Sequence, residues 1–179
     1  MNNINLIGYR GSGKSSVGLE LAEVLKRPFV DSDTVIVERA KVSIAELVAN
    51  SGWELFRKLE SEVLKGCCQQ NKIVLATGGG VVLAPENRSL LQSSGTTFWL
   101  QASPESTLQR LVQDSKSSLS RPPLSSLALT DEIVLGLKER EPLYREVADF
   151  IVQVDCKSVD DIVAQIATIL TRQSRSHEN

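Results

Sequence analysis

Gly8-Tyr9-Arg10-Gly11-Ser12-Gly13-Lys14-Ser15 follows the spacing G-x-x-x-x-G-K-[ST]. That spacing makes a phosphate cradle. Glycines let backbone N–H groups wrap an anion without Cβ clashes. The partial positive charge at the start of a following helix adds to the attraction. Lys14 can reach the outer phosphates of a nucleotide, and the Ser15 hydroxyl can hold Mg²⁺. A plain glycine turn with a solvated lysine is the weaker reading, because apolar Ile4–Ile7 precedes the loop and Val17, Leu21, Val24 and Leu25 follow it at helical spacing.

Four more groups could complete a phosphoryl-transfer site. Asp31 and Asp33 fall where the short apolar pair Phe29-Val30 ends. Strand ends of an open α/β sheet face the ligand crevice, so Asp31 is expected near the P-loop Mg²⁺ and Asp33 toward an acceptor hydroxyl. Asp33 would also serve as a helix cap, but its place one helix after a P-loop favours chemistry. Arg57 and Glu60 stand three apart. They read either as a surface pair of small worth or as a guanidinium held ready for a carboxylate or phosphate, and spacing alone leaves both open. Thr77-Gly78-Gly79-Gly80 ends an apolar run; such a turn lets a ligand approach the backbone and offers amides to an anion. Arg121 lies in the Ser- and Pro-rich stretch 114–126. This stretch is expected to be a mobile lid that brings Arg121 to the phosphates and excludes water; an insertion with a solvated arginine is the rival reading. The sole histidine, His177, lies in a polar tail, so carboxylates must do any proton work.

The elements that must hold these groups are apolar runs. Ile4–Ile7, Phe29–Val30, Ile73–Ala76, Thr96–Leu100 and Phe150–Val154 read as five short strands. A helix after the P-loop is followed by helical pattern over 34–49, interrupted at 41–43, where Ser43 and Glu46 have capping-box spacing. Ser51-Gly52 breaks the pattern before a helix from Trp53 to about Gln70 with the stripe Leu55, Leu59, Val63 and Leu64. Further helices are expected over 85–91, from Ser103-Pro104 with Leu108, Leu111 and Val112 inward and Arg110 on another face, over 130–147 with a kink or restart at Pro142, and from Ser158, fraying after Arg172. Strands alternating with helices imply a parallel sheet covered on both faces.

The totals fit this plan. With 179 residues, 41% of them apolar and 4% aromatic, one domain with an aliphatic core is expected. A net charge of −2 gives no bulk attraction to nucleic acid. No apolar run approaches a membrane span, and no signal segment opens the chain. Three cysteines without C-x-x-C spacing argue against a disulfide frame or zinc site, so a reducing cytoplasm is expected.

Taken in order, these stretches resemble the shikimate kinases. The resemblance rests on Ser16-Val17-Gly18 after the P-loop, Asp31-Ser32-Asp33, Phe56-Arg57-Lys58-Leu59-Glu60, Thr77-Gly78-Gly79-Gly80, Arg121-Pro122-Pro123-Leu124 and Arg140-Glu141-Pro142-Leu143-Tyr144, and it covers residues 3–170. It implies a P-loop NTP-binding fold with a five-stranded parallel sheet of order 2-3-1-4-5. It implies a single kinase domain over 1–173, with an acceptor-binding region at about 33–61, a mobile lid at about 113–127 and a polar tail at 174–179. The implied reaction moves the ATP γ-phosphate to the 3-hydroxyl of shikimate, in chorismate and aromatic amino-acid biosynthesis. The implied enzyme is a cytoplasmic monomer that uses Mg²⁺ and binds ATP and shikimate, without nucleic acid or membrane.

By the same resemblance Gly11, Ser12, Gly13, Lys14, Ser15, Ser16, Arg110 and Arg121 bind ATP, with Arg110 against adenine. Asp33, Arg57, Gly79, Gly80 and Arg140 bind the acceptor, the two arginines on its carboxylate. Ser15 and Asp31 serve the metal, Asp31 through water. Lys14, Asp33 and Arg121 carry catalysis. The lid departs from the family's usual Arg-Pro-Leu-Leu at Pro123, which stiffens it and removes a donor. A related kinase of a small acid, such as a gluconate kinase, is the nearest alternative. A nucleotide-binding regulator without catalysis is another, against which intact Lys14, Ser15, Asp31 and Asp33 weigh.

Overall fold

The computed structural model describes residues 2–113 and 128–176. Five strands alternate with helices: β1 (Asn3–Ile7), α1 (Lys14–Leu25), β2 (Phe29–Asp31), α2 (Ser32–Ala40), α3 (Ile44–Cys68), β3 (Val74–Ala76), α4 (Pro85–Ser94), β4 (Gly95–Gln101), α5 (Pro104–Gln113), α6 (Leu129–Val147), β5 (Phe150–Gln153) and α7 (Val159–Ser176). The sheet order is β2-β3-β1-β4-β5, with every pairing parallel. The expected lid lies outside the described residues except for Gln113, and Arg121 and His177 lie outside them altogether.

Strand alternation divides the core between the two sheet faces. Ile4, Leu6, Val74, Phe98, Leu100 and Val152 pack against α1 and α7. Ile7, Leu75 and Trp99 face the other way, into a cluster with Ile36, Phe56, Val63, Leu91 and Tyr144 from α2, α3, α4 and α6. Because β2, β3 and β1 are adjacent and parallel, their carboxyl ends open at one edge. Three loops therefore converge there: the P-loop, Asp31-Ser32-Asp33, and Thr77–Gly80.

Local chemistry sets the element ends. Ser43 and Glu46 form a reciprocal capping box at α3, and Ser158 and Asp161 exchange bonds at the start of α7. Gly52 adopts φ 77°, ψ 168°, so the expected break survives as a kink within α3. Pro142 sits inside a continuous α6. Thr171 donates to the Ala167 carbonyl and no Gly or Pro intervenes, so α7 continues to Ser176, past the expected fraying point. Two residues expected to face inward are exposed, Leu55 (48%) and Val112 (69%), and Val24 of the α1 helical pattern is 57% exposed. On α3 the buried positions are Ile44, Phe56, Glu60, Val63, Leu64 and Cys67; Val63 and Leu64 of the expected stripe are among them, Leu59 packs partly buried against the core, and Leu55 turns outward.

Candidate active site

The P-loop joins β1 to α1. Gly13 caps α1 at φ 91°, a conformation that side chains rarely adopt. Lys14 is 7% exposed and folds back over the loop, donating to the Gly8 and Tyr9 carbonyls at 2.9 and 2.8 Å. Ser12 is buried beneath it, and Ser16 is exposed on α1. Ser15 Oγ donates to Asp31 Oδ2 at 2.6 Å. Arg110, on α5, donates to the Gly11 carbonyl at 3.3 Å and to the Val154 carbonyl at 2.9 Å, so it flanks the loop.

Beside the P-loop lies a cleft bordered by Asp33, Arg57, Glu60, Gly79, Gly80 and Arg140. Arg10, Ile44, Trp53, Phe56 and Gly78 complete its wall. Five of the sequence-expected acceptor residues thus meet at one place. Asp33 is not the cap of α2. Asp31 fills that role, its Oδ1 accepting from the Asp33 amide at 3.0 Å, which leaves the Asp33 side chain for the cleft.

Arg57 is held on several sides. Glu60 accepts from its Nη1 at 2.6 Å, and its Cζ lies 5.3 Å from the Trp53 ring and 5.1 Å from the Phe56 ring. This resolves the two readings of Arg57 and Glu60. Glu60 is almost fully buried, so the pair is no solvated surface bridge. Burial pushes the Glu60 carboxyl up, Arg57 opposes that, and Asp33 reinforces it. A methyl group at Gly80 would land on the Arg57 guanidinium, and one at Gly78 would lie 2.8 Å from both Asp33 Oδ1 and Glu60 Oε1. The glycine run is therefore a close approach of backbone to charged side chains. Arg140 is 7% exposed and donates to the Gly79 carbonyl at 3.4 Å.

A family model described as shikimate kinase matches residues 10–171. The chain belongs to the shikimate kinase family. Its activity is ATP-dependent phosphorylation of shikimate, within aromatic amino-acid biosynthesis. It is 42% identical to a shikimate kinase of Nitratidesulfovibrio vulgaris, covering 90% of this chain and 94% of that one. It is also 42% identical to one of Francisella tularensis subsp. holarctica, covering 96% of each. Among solved structures it resembles shikimate kinase from Acinetobacter baumannii in complex with shikimate, with TM-score 0.91 and 34% identity over 97% of this chain and 94% of that one. The shikimate kinase of Aquifex aeolicus gives TM-score 0.79 and 34% identity over 96% and 98%.

Residues that the sequence reading does not single out also line or reach the cleft of this shikimate kinase. Trp53, Phe56, Arg57 and Glu60 share one face of α3 at helical spacing, a sequence signal wider than the Arg57–Glu60 pair alone. On α6, Glu132, Gly136, Arg140 and Tyr144 recur every four residues and are all buried. Glu132 pairs with Arg10, Gly136 packs on Tyr9, and both Arg140 and the Tyr144 hydroxyl donate to the Gly79 carbonyl. One helix face therefore touches the donor loop and the acceptor loop together.

Proposed function

We propose that this enzyme transfers the γ-phosphate of ATP to the 3-hydroxyl of shikimate in the cleft bordered by Asp33, Arg57, Gly79, Gly80 and Arg140. The observation that carries the reading is the convergence of these residues beside the P-loop. Two guanidiniums suit a planar carboxylate, which takes paired N–H donors well. Asp33 suits the ring hydroxyls. Gly79 and Gly80 let the acceptor approach the backbone.

On the donor side, Gly11, Ser12, Gly13, Ser15 and Ser16 surround the phosphates, and Lys14 neutralises them. Arg110, flanking the loop, supports an adenine contact. Arg121 is read as the lid residue that reaches the phosphates, within a lid at about 113–127 of one kinase domain over 1–173. Phosphoryl transfer passes through a loose transition state, so positioning and charge matter more than a strong base. Asp33 then orients the attacking hydroxyl and receives its proton.

Ser15 and Asp31 fit Mg²⁺ by their chemistry. A hydroxyl and a carboxylate are hard oxygen donors, and they already lie 2.6 Å apart. No cluster of three or more His, Cys, Asp or Glu ligands occurs among the described residues. That suits Mg²⁺, which keeps waters and nucleotide oxygens rather than a protein cage. When bound, the ion would neutralise charge on the nucleotide phosphates.

No described helix is long and apolar enough to cross a membrane. Cys67, Cys68 and Cys156 are all free, which suits a reducing cytoplasm; the net charge of −2 offers no bulk attraction to nucleic acid, and a monomer without nucleic-acid or membrane partners is the reading.

The test is phosphate transfer from ATP with Mg²⁺ to shikimate, to shikimate lacking the 3-hydroxyl, and to gluconate, with the product located by NMR. Phosphate on the 3-oxygen of shikimate alone is expected. Transfer to gluconate at a comparable rate, or ATP hydrolysis indifferent to acceptor, would overturn the reading.

A further inference from the structure

Arg140 poses a problem of compensation. It is 7% exposed, and a buried guanidinium needs partners. Among the described residues it forms no ion pair, its bond to the Gly79 carbonyl is long at 3.4 Å, and its Nε makes no hydrogen bond. Its charge also acts on the Tyr144 hydroxyl and the Glu60 carboxyl, and beside them it has a ring. Its Cζ lies 5.2 Å from the centroid of Tyr9, within the range of a cation–π contact, and Tyr9 is itself 1% exposed.

The ring has little freedom. A Cβ at Gly136 would lie 2.7 Å from Tyr9 Oη and 2.9 Å from Cε2, so only a glycine in α6 admits the ring there. The Tyr9 backbone is fixed from the other side, its carbonyl accepting from Lys14 Nζ at 2.8 Å and from the Ser12 amide at 3.2 Å. The hydroxyl lies 3.5 Å from the Glu132 carbonyl, at the limit of a hydrogen bond, and also meets Arg10, whereas the face of the ring meets Arg140. Burial pushes the phenol up, against the pull of Arg10 and Arg140, and the ring stays neutral.

We propose that Tyr9 is a positioning residue of the acceptor clamp: its ring, seated against Gly136, holds the Arg140 guanidinium in the cleft. Its backbone belongs to the nucleotide loop and its side chain to the acceptor site. The proposal rests on the reading that Arg140 meets the acceptor carboxylate.

The experiment replaces Tyr9 by phenylalanine and by mono-, di- and trifluorinated phenylalanines, which keep nearly the same shape while draining charge from the ring face. With Tyr9→Phe, shikimate KM should stay within about twofold; it should then climb with fluorination to about three- to tenfold. ATP KM and Tm should hold steady. In an Arg140→Ala background the series should be flat, since the two residues act as one unit. If Arg140→Ala raises shikimate KM but fluorination at position 9 does not, the Tyr9 proposal falls alone. An ATP KM that climbs in step with fluorination also overturns it, because the ring would then be shaping the nucleotide loop. If Arg140→Ala leaves shikimate KM unmoved, the carboxylate assignment fails and takes the proposal with it.

Discussion

Asp31 accepts the Ser15 hydroxyl on Oδ2 at 2.6 Å while its Oδ1 accepts the Asp33 amide at 3.0 Å. One carboxylate thus caps α2 and reaches across the carboxyl edge of the sheet to the start of α1. β3 lies between the two strands that bring these residues together. The two aspartates of Asp31-Ser32-Asp33 divide their work, Asp31 toward the P-loop and Asp33 toward the cleft.

That division makes Asp31→Asn informative. Asparagine caps helices about as well as aspartate, so α2 should survive. The charge proposed to draw a divalent ion is lost. Loss of such a partner typically costs about 10- to 100-fold in metal affinity or activity. A Mg²⁺ titration of kcat should therefore shift to higher concentration by about that factor with Tm almost unchanged. A Mg²⁺ dependence identical to the parent's would remove Asp31 from the metal site.

Gly80→Ala tests the fit of backbone to clamp. Gly80 sits at φ −100°, which alanine adopts without strain. The cost is steric and local, since the added methyl group would meet Arg57. Displacing that guanidinium forfeits a charge-assisted hydrogen bond, so shikimate KM should rise roughly 10- to 100-fold. ATP KM should not change. Equal rises in both constants would mean that the substitution disturbs the P-loop through Gly79, which packs against Gly8 and Arg10.

The elements and the site differ in how much of them the sequence reveals. Strand alternation in Ile4–Ile7 and Phe98–Leu100, the Ser43–Glu46 cap and the P-loop are local patterns, and each folds as its residues suggest. Leu55 and Val112 depart from the expected inward stripes because periodicity gives a helix stripe but not which neighbour covers it. The deeper omission was long-range. Glu132 meets Arg10 across 122 positions, and Tyr144 meets Gly79 across 65. Their four-residue spacing on α6 was visible, but a stripe that mixes glycine, tyrosine and two opposite charges does not score as apolar.

Lys14→Ala shows what that geometry adds. Read from the motif alone, this change should abolish turnover and spare the fold. In the structure the ammonium also satisfies two loop carbonyls in a buried setting. Turnover should fall by at least about 10²- to 10³-fold through lost phosphate stabilisation. Each carbonyl left without its donor costs about 1–3 kcal/mol, and Tm should drop by several degrees. Calorimetry on the variant decides the second point; an unchanged Tm would mean the loop finds other donors.

Glu60 ties stability to pH through the acceptor site. Burial holds its carboxyl above the ordinary 4.5, with Arg57 pulling it down and Asp33 pushing it up. The folded chain therefore binds this proton more tightly than the unfolded chain does. The stability it contributes is fully present below about 4.5 and is lost as pH rises through the folded value. Glu60→Gln keeps the shape of the protonated acid and removes the titration. Relative to the parent, its Tm should improve steadily from about pH 4.5 toward neutrality. A constant Tm offset at every pH would mean that the folded and unfolded chains hold this proton equally. Arg57→Ala should act in the opposite sense. It removes the charge that holds Glu60 down, so the loss of stability should extend to still higher pH.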